Sequence, residues 1–423
     1  MLDIRLIREK PDFARERLAT RGGDDAARID DVLKVDVERR KIETELQQLQ
    51  AERNRSSKEI GAKKSRKEAT TDLEAQVRTI GERIVDLEQR ASSLDEQQRG
   101  LLLEIPNLPN ESVPLGKDAS ANKVVREWGS KPKLAGKALD HIAIGEKLKM
   151  LDLERATKLS GSGFICFTGA GARLERALIN FMIDVHTREH GYLEVSPPFL
   201  VRRECMIGTS QLPKFETDMY KIDSEELFLA PTAEVPVTNL SREEILPAAD
   251  LPKKFVAYTP CFRREAGSAG RETRGIIRVH QFDKVELVKI TTAGKSYEEL
   301  ELLLADAEKI LQLLELHYRV IDLCTGDLGF GSAKTYDIEV WSPGQNAYLE
   351  VSSCSNFEDY QARRMNLRYK GADGKNKFAH TLNGSGLALP RVFAALIENF
   401  QQPDGSVHVP EKLQPYFGAA EIC

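Results

Sequence analysis

The stretch from Thr259 to Leu287, TPCFRREAGSAGRETRGIIRVHQFDKVEL, brings Arg263, Arg264, Glu265, Arg271, Arg274, Arg278 and Glu286 into one segment. Arginine presents a planar fork of donors that matches a phosphate, so such a run points to a site for a large anion. KFVAYTPCFRRE reads as a strand ending in Arg263 and Glu265, two residues apart and so on one side of it. An arginine there suits a phosphate, and the neighbouring carboxylate suits the amino group of a base. Gly267, Gly270 and Gly275 permit a turn, after which Arg278, His280, Phe282, Lys284 and Glu286 follow by alternation. Farther on, YLEVSSCSN holds Glu350 and Ser353 close together. Hard oxygen donors of this kind suit Mg2+, which needs few protein ligands when a polyphosphate supplies the rest. Arg391 follows Pro390 in the apolar run LALPRVFAAL. An arginine facing inward there needs a partner, and a terminal phosphate would serve. Taken singly, Arg263, Glu265 and Arg391 read equally well as surface residues, and Glu286, Glu350 and Ser353 read better as such.

Other chemistries find less support. No GxxxxGK[ST] occurs, and GAGARLE and NGSGLALP lack the dinucleotide fingerprint. A nucleotide must therefore be held by side chains. The six cysteines form no CxxC pair and have neither zinc-knuckle nor disulfide-framework spacing, so no zinc is expected and reduced thiols in a cytoplasmic location fit best. His186 and His190 are spaced four apart, as zinc ligands can be, but with no third ligand evident they read as a helix-surface pair. Cys354 reads as a small buried residue. The net charge of −5 requires any nucleic-acid partner to be held by local basic patches. The charged opening residues do not read as a signal peptide, and no apolar run approaches a membrane span.

The elements that must position these residues fall into two parts. Ile42, Leu46, Leu49, Arg53, Ser56 and Ile60 alternate by four and three, and so do Leu73, Val77, Ile80, Ile84, Leu87, Ala91, Leu94, Gln98, Leu101 and Ile105. This is heptad spacing on two long helices. Gly61 is expected to end the first, and Thr70 or Thr71 to cap the second. The short linker makes an antiparallel hairpin with Lys63, Lys64, Arg66 and Lys67 at its tip. With Arg53, Arg55 and Lys58 these form a basic row suited to an RNA backbone. Three prolines in PNLPNESVPLGKD place a boundary that divides the chain into 1–105 and 106–423. Beyond it, strands are expected in 192–201, 254–260, 276–290, 334–343 and 347–356, and helices over 172–190, 296–316 and 384–401. The expected class is α+β, an antiparallel sheet flanked by helices.

GYLEVSPPFLV, FRREAGSAGRETRGIIRVHQFDKVE and TLNGSGLALPRVFAALIENF resemble motifs 1, 2 and 3 of a class II aminoacyl-tRNA synthetase. GTSQLPKFETDMYKI, APTAEVPVTN and LEVSSCSNFEDYQARRMNLRY, with the N-terminal hairpin, narrow the resemblance to seryl-tRNA synthetases of bacterial type. The set runs in order over nearly the whole chain. The resemblance implies a coiled-coil tRNA-binding arm followed by a class II core, and ligation of L-serine to tRNA(Ser) through an adenylate made from ATP with Mg2+; it leaves tRNA(Sec) open as a second acceptor. It assigns Thr232, Ala233, Glu234, Glu286, Asn383 and Ser385 to serine. To ATP it assigns Arg263, Arg264, Glu265, Val279, Glu350, Val351, Ser352, Ser353 and Arg391, with Glu350 and Ser353 on the metal. Arg263 falls at the α-phosphate, Arg391 at the γ-phosphate and Arg278 near the substrate carboxylate, these three being the catalytic arginines. Pro198 falls in a homodimer interface. Arg264 stands where many relatives carry a small residue, and Pro390 where some carry glycine. Rival readings are a synthetase for threonine or proline, a ligase charging a carrier protein, and a tRNA-binding or scaffolding coiled-coil protein with an inactive core.

Overall fold

The structure, a computed structural model, describes residues 1–265 and 275–423. Gly267, Gly270, Arg271 and Arg274 lie outside the described residues. Two units form, Met1–Pro106 and Asn107–Cys423.

The first unit consists of α1 (Ile4–Glu9), α2 (Pro11–Ala19), α3 (Arg28–Ser65) and α4 (Thr71–Glu104). At 1.5 Å per residue the two long helices each extend roughly 50 to 57 Å. Val35, Ile42, Leu87 and Leu94 are buried between them, with Leu46, Leu49, Ala91 and Leu101 packed alongside. The expected seam is thus present, and cross-helix ion pairs give its sense. Arg39 reaches Asp95, Arg83 reaches Glu45 and Lys64 reaches Glu74, so the partner's number falls as the first rises. Contrary to expectation, α3 runs through Gly61 to Ser65. One glycine in an exposed helix interior costs only about 1 kcal/mol, too little to end a helix of this length. Thr70 does stand at the N-cap of α4, but its hydroxyl donates to the Glu74 carboxylate at 2.9 Å and accepts no N–H from the helix backbone. The opening residues, for which the sequence suggested no element, form α1 and α2 and bury Ile7, Ala14 and Leu18. Arg8 closes on the buried Asp36 with two bonds of 2.8 Å, and Gln98 adds a third at 3.1 Å. Burial raises the Asp36 carboxyl, but the bonds from Arg8 and Gln98 outweigh it and leave the group below its ordinary range.

The second unit is built on eight strands: β1 (Lys123–Trp128), β2 (Leu193–Glu194), β3 (Lys253–Phe262), β4 (Gln281–Thr291), β5 (Tyr318–Asp322), β6 (Lys334–Ser342), β7 (Ala347–Asn356) and β8 (His380–Ala388). Their order is β1–β5–β6–β7–β8–β4–β3–β2, and every neighbouring pair is antiparallel except β2–β3. The α+β class expected from the sequence is the one observed. The helices α5 (His141–Lys147), α6 (Ala170–Arg188), α7 (Ser296–Leu313) and α8 (Leu389–Asn399) accompany the sheet. On α6, Leu174, Leu178, Phe181, Met182 and Val185 recur by threes and fours and are all buried. They join Val285, Leu287, Leu300, Leu303, Leu382 and Leu396 in the main core. Val288 and Ile290, on the opposite face of β4, join a separate cluster with Phe255 and Ala257. With both faces covered, β4 is buried from Lys284 to Thr291.

One expected element is changed in type. The segment from residue 384, read as the start of a helix, belongs to β8, and α8 begins only at Leu389. The reason is a close approach of layers: a Cβ on Gly384 would come within 2.3 Å of Leu303 on α7 and 2.8 Å of Cys354 on β7. Glycine there lets α7 lie against the sheet. Among the described residues no helix is long and apolar enough to cross a membrane.

Candidate active site

Alternation along β4, β7 and β8 sorts side chains between two faces. Val285, Leu287, Cys354 and Leu382 point into the main core. Glu286 is registered against Ser385, Asn383 against Val288 and against Ser355. Polar groups spread over more than a hundred residues therefore share the other face. There they line a cavity of about 750 Å³ whose wall includes Thr232, Glu234, Arg263, Glu265, Arg278, Val279, Lys284, Glu286, Glu350, Val351, Ser353, Asn383, Ser385 and Arg391.

One part of the wall is acidic and nearly closed to solvent. Glu234 and Glu286 are 6 % and 1 % exposed. Asn383 Nδ2 donates to Glu286 Oε1 at 3.2 Å, and Lys284 Nζ lies 2.5 Å from its other oxygen. Gln361 donates to Glu234 at 2.7 Å, and the Thr232 hydroxyl accepts the Glu234 N–H at 3.2 Å. Burial, reinforced by the charge on Glu286, pushes the Glu234 carboxyl up to about 7. A site with two buried carboxylates and one lysine suits an ammonium group.

The rest of the wall is cationic. Arg263 donates to the Pro231 carbonyl at 3.3 Å and lies 5.1 Å from the Phe282 ring centroid. Arg278 pairs with Glu265. Arg391 donates to the Ile277 carbonyl at 3.1 Å and the Glu350 carbonyl at 2.7 Å, and its Nη1 lies 3.7 Å from the Glu350 carboxylate. Each guanidinium is held by backbone or carboxylate while facing the cavity, an arrangement that preorganises donors for an anion.

The first 109 residues match the family described as Seryl-tRNA synthetase N-terminal domain, and residues 215–400 match the tRNA synthetase class II core domain (G, H, P, S and T). A serine--tRNA ligase of Akkermansia muciniphila is 60 % identical over 99 % of this chain and 98 % of its own. The crystal structure of a seryl-tRNA synthetase from Pyrococcus horikoshii, complexed with ATP, aligns with a TM-score of 0.94 at 40 % identity over 100 % of this chain and 99 % of that one. A cytoplasmic serine-tRNA ligase from Naegleria fowleri, in complex with AMP, aligns at 0.89 and 31 % over 100 % and 98 %.

The chain belongs to the seryl-tRNA synthetase family.

It is accordingly a class II ligase that joins serine to tRNA. The resemblance read from the sequence is confirmed, and the rival readings of a threonine or proline synthetase and of a carrier-protein ligase fall with it.

Arg263 and Glu265 both face the cavity, but not by strand alternation. β3 ends at Phe262, and Glu265 adopts a left-handed backbone with φ of 50°. Likewise β4 begins only at Gln281, so Arg278 and His280 precede it. Backbone bonds replace the strand: Arg263 N–H donates to His280 O at 2.8 Å and Arg264 N–H to Asp218 O at 2.9 Å. Three residues assigned to the site lie off the cavity wall. Arg264 is exposed, Ala233 is buried, and Ser352 points to the other face, where its hydroxyl donates to Ser385 O at 2.6 Å. Lys284 and Gln361 were given no role by the sequence. Alternation with Glu286 was a usable signal for Lys284; Gln361 is 127 positions from Glu234 and offered none.

Two residues outside the site are buried. His186 is no surface residue: it is fully buried on α6, its Nδ1 3.0 Å from that of His190, and burial lowers it to about 3. Its neighbours Leu178, Met182 and Val185 draw that helix face into the core. Cys354 is buried as expected, and burial pushes its thiol up to about 12. In the arm, Arg55, Lys58, Lys64, Arg66 and Lys67 are exposed, whereas Arg53 and Lys63 are half-buried. Lys63 pairs with Glu59 at 3.0 Å and Lys64 with Glu74 at 2.8 Å.

Proposed function

We propose that the cavity activates L-serine with ATP and passes the seryl group to tRNA(Ser). The observation that carries this reading is the division of one cavity into a buried acidic part and a part ringed by arginines. Serine's ammonium is placed against Glu234 and Glu286. Its hydroxyl is placed among Thr232, Asn383 and Ser385, whose polar groups would go unpaired against alanine. The serine carboxylate lies toward Arg278 and attacks the α-phosphate in line, forming the acyl–phosphate bond as pyrophosphate leaves. Arg263 stabilises the charge that develops on the α-phosphate, and Arg391 holds the γ-phosphate. Val279 and Glu265 border the adenine, and Phe282 contributes an aromatic wall. No protein nucleophile is needed, because positioning and fixed charge supply the rate. The terminal ribose hydroxyl of the tRNA then attacks the adenylate carbonyl and releases AMP.

The donor set fits Mg2+. Glu350 and Ser353 offer a carboxylate and a hydroxyl at the wall. Asp337, registered against Ser353, presents a buried carboxylate oxygen with no hydrogen-bond donor. Few ligands of this hardness match an ion that keeps waters and phosphate oxygens. Glu350 and Ser353 would hold the ion, which when bound would neutralise phosphate charge. The arm's basic row is proposed to contact the tRNA backbone, and the enzyme is read as a cytoplasmic homodimer.

Pyrophosphate exchange across the amino acids tests the assignment. Serine is expected to drive exchange with threonine and alanine far behind. Equal exchange with threonine would refute the serine pocket.

A further inference from the structure

Behind the cavity wall, a buried histidine and a buried glutamate connect α8 to the segment that precedes β4. His141 is 2 % exposed, and Glu398 is fully buried on α8. Glu398 Oε1 lies 2.8 Å from His141 Nδ1 and accepts the His141 backbone N–H at 2.9 Å. Its Oε2 accepts from the Ser342 hydroxyl and, at 3.1 Å, from the Gly344 N–H. A carboxylate with donors on both oxygens acts as acceptor, so the His141 proton sits on Nδ1 and Nε2 is left as an acceptor. That nitrogen receives the Ile276 backbone N–H at 3.4 Å. The approach is tight: Gly275 has φ of 74°, and a Cβ on it would come within 2.2 Å of Nε2.

Arg391 stands seven residues before Glu398, two turns away on the same helix. Its Nε donates to the Ile277 carbonyl at 3.1 Å. One helix therefore grips two successive residues, Ile277 directly and Ile276 through a glutamate–histidine relay. The segment so gripped, Ile276 to Val279, lines the cavity. Neither His141 nor Glu398 is on the cavity wall, and no role proposed above uses them.

We infer that His141, oriented by Glu398, is a positioning residue for ATP: it sets the Ile276–Val279 wall at the place required by the arginines on either side. This rests on the reading of that wall and Arg391 as the nucleotide part of the site. An amide side chain separates the two nitrogens' duties. Asparagine can reproduce the donation of Nδ1 to Glu398 but not the acceptor at the position of Nε2. Glutamine can bring its carbonyl oxygen to that position.

The test measures ATP binding by calorimetry without serine, together with the KM for ATP and for serine in pyrophosphate exchange. His141→Asn is expected to weaken ATP binding and raise its KM about three- to tenfold, with the KM for serine within about twofold. His141→Gln is expected to recover most of that loss. If the Asn and Gln variants bind ATP alike, or ATP and serine are affected equally with a lowered melting temperature, His141 merely supports the fold and the inference is overturned. Gly275→Ala crowds the same contact while leaving the histidine itself in place. Should a histidine variant fail to fold, an ATP-specific loss in Gly275→Ala supports the inference and parental ATP binding sinks it. A parent that binds ATP yet shows no serine-dependent exchange would overturn the amino-acid assignment alone, because the calorimetric contrast decides on His141 separately.

Discussion

Glu234 is a buried side chain through which stability, pH and the proposed serine site are linked. Its carboxyl lies at about 7 in the folded protein, above the ordinary 4.5, through burial and then the charge of Glu286. Folding therefore favours the protonated form. The stabilising contribution is complete below about 4.5 and is lost as pH rises through about 7. Without ligand, the parent is expected to lose stability relative to Glu234→Gln between pH 5 and 8, by at most about 3 kcal/mol. Parallel melting curves for the two across that range would contradict the assignment. In the proposed site serine's ammonium favours the ionised carboxylate, so the KM for serine is expected to fall with rising pH on the acid side of 7, up to about tenfold per unit; Glu234→Gln should flatten that dependence. Arg263 makes a simpler case. Its guanidinium faces the cavity, held by one carbonyl at 3.3 Å. Arg263→Ala is expected to slow adenylate formation by about 10² with little change in melting temperature, and single-turnover measurements would show it.

At the scale of elements, the arm offers a division of labour that can be cut. The Arg8–Asp36–Gln98 network and the Arg39–Asp95 pair hold the base of the hairpin, whereas the basic residues lie toward the tip. Replacing residues 46–84 with a short turn preserves that base. Serine-dependent exchange is expected to survive within a fewfold, while charging of tRNA drops by orders of magnitude through weaker binding. Normal charging by the folded truncation would remove the arm as the tRNA reader, and lost exchange would contradict the division into modules. Charge reversal should be milder and masked by salt. Lys67→Glu is expected to weaken charging more than Lys63→Glu, because Lys63 is half-buried and already engaged by Glu59.

For the whole molecule, the exposed apolar residues carry the expectation of a dimer. Leu193, Phe199 and Leu200 are 62 %, 37 % and 42 % exposed, next to Pro198 in the motif 1 segment. Large exposed apolar side chains this close in sequence make the segment a candidate interface. Leu193→Asp combined with Phe199→Glu is expected to convert a dimer to monomers in sedimentation velocity and to reduce exchange. A parent that sediments as a monomer would dismiss the dimer.

Local rules made much of this chain legible before any fold was known. Heptad spacing predicted the paired helices, because a 3.5-residue repeat has one stable use in water, a shared apolar seam. The residue types at 263, 286, 350 and 391 suggested the chemistry proposed above, since phosphates call for arginine and hard cations for oxygen. The places where the reading failed are those decided across long separations. Gly384 looks like part of a helix until α7 is laid against the sheet, and His186 looks like surface until the helix is packed. Arg263 and Glu265 reach the cavity on a segment held by backbone bonds from Arg263 to His280 and from Arg264 to Asp218, which strand periodicity does not contain. The relay from Glu398 through His141 to Ile276 joins residues 257 and 135 positions apart. Such contacts exist only once the sheet has fixed which faces meet. Composition and spacing therefore determined which groups this protein carries, and tertiary packing alone decided which of them are buried, paired and aimed.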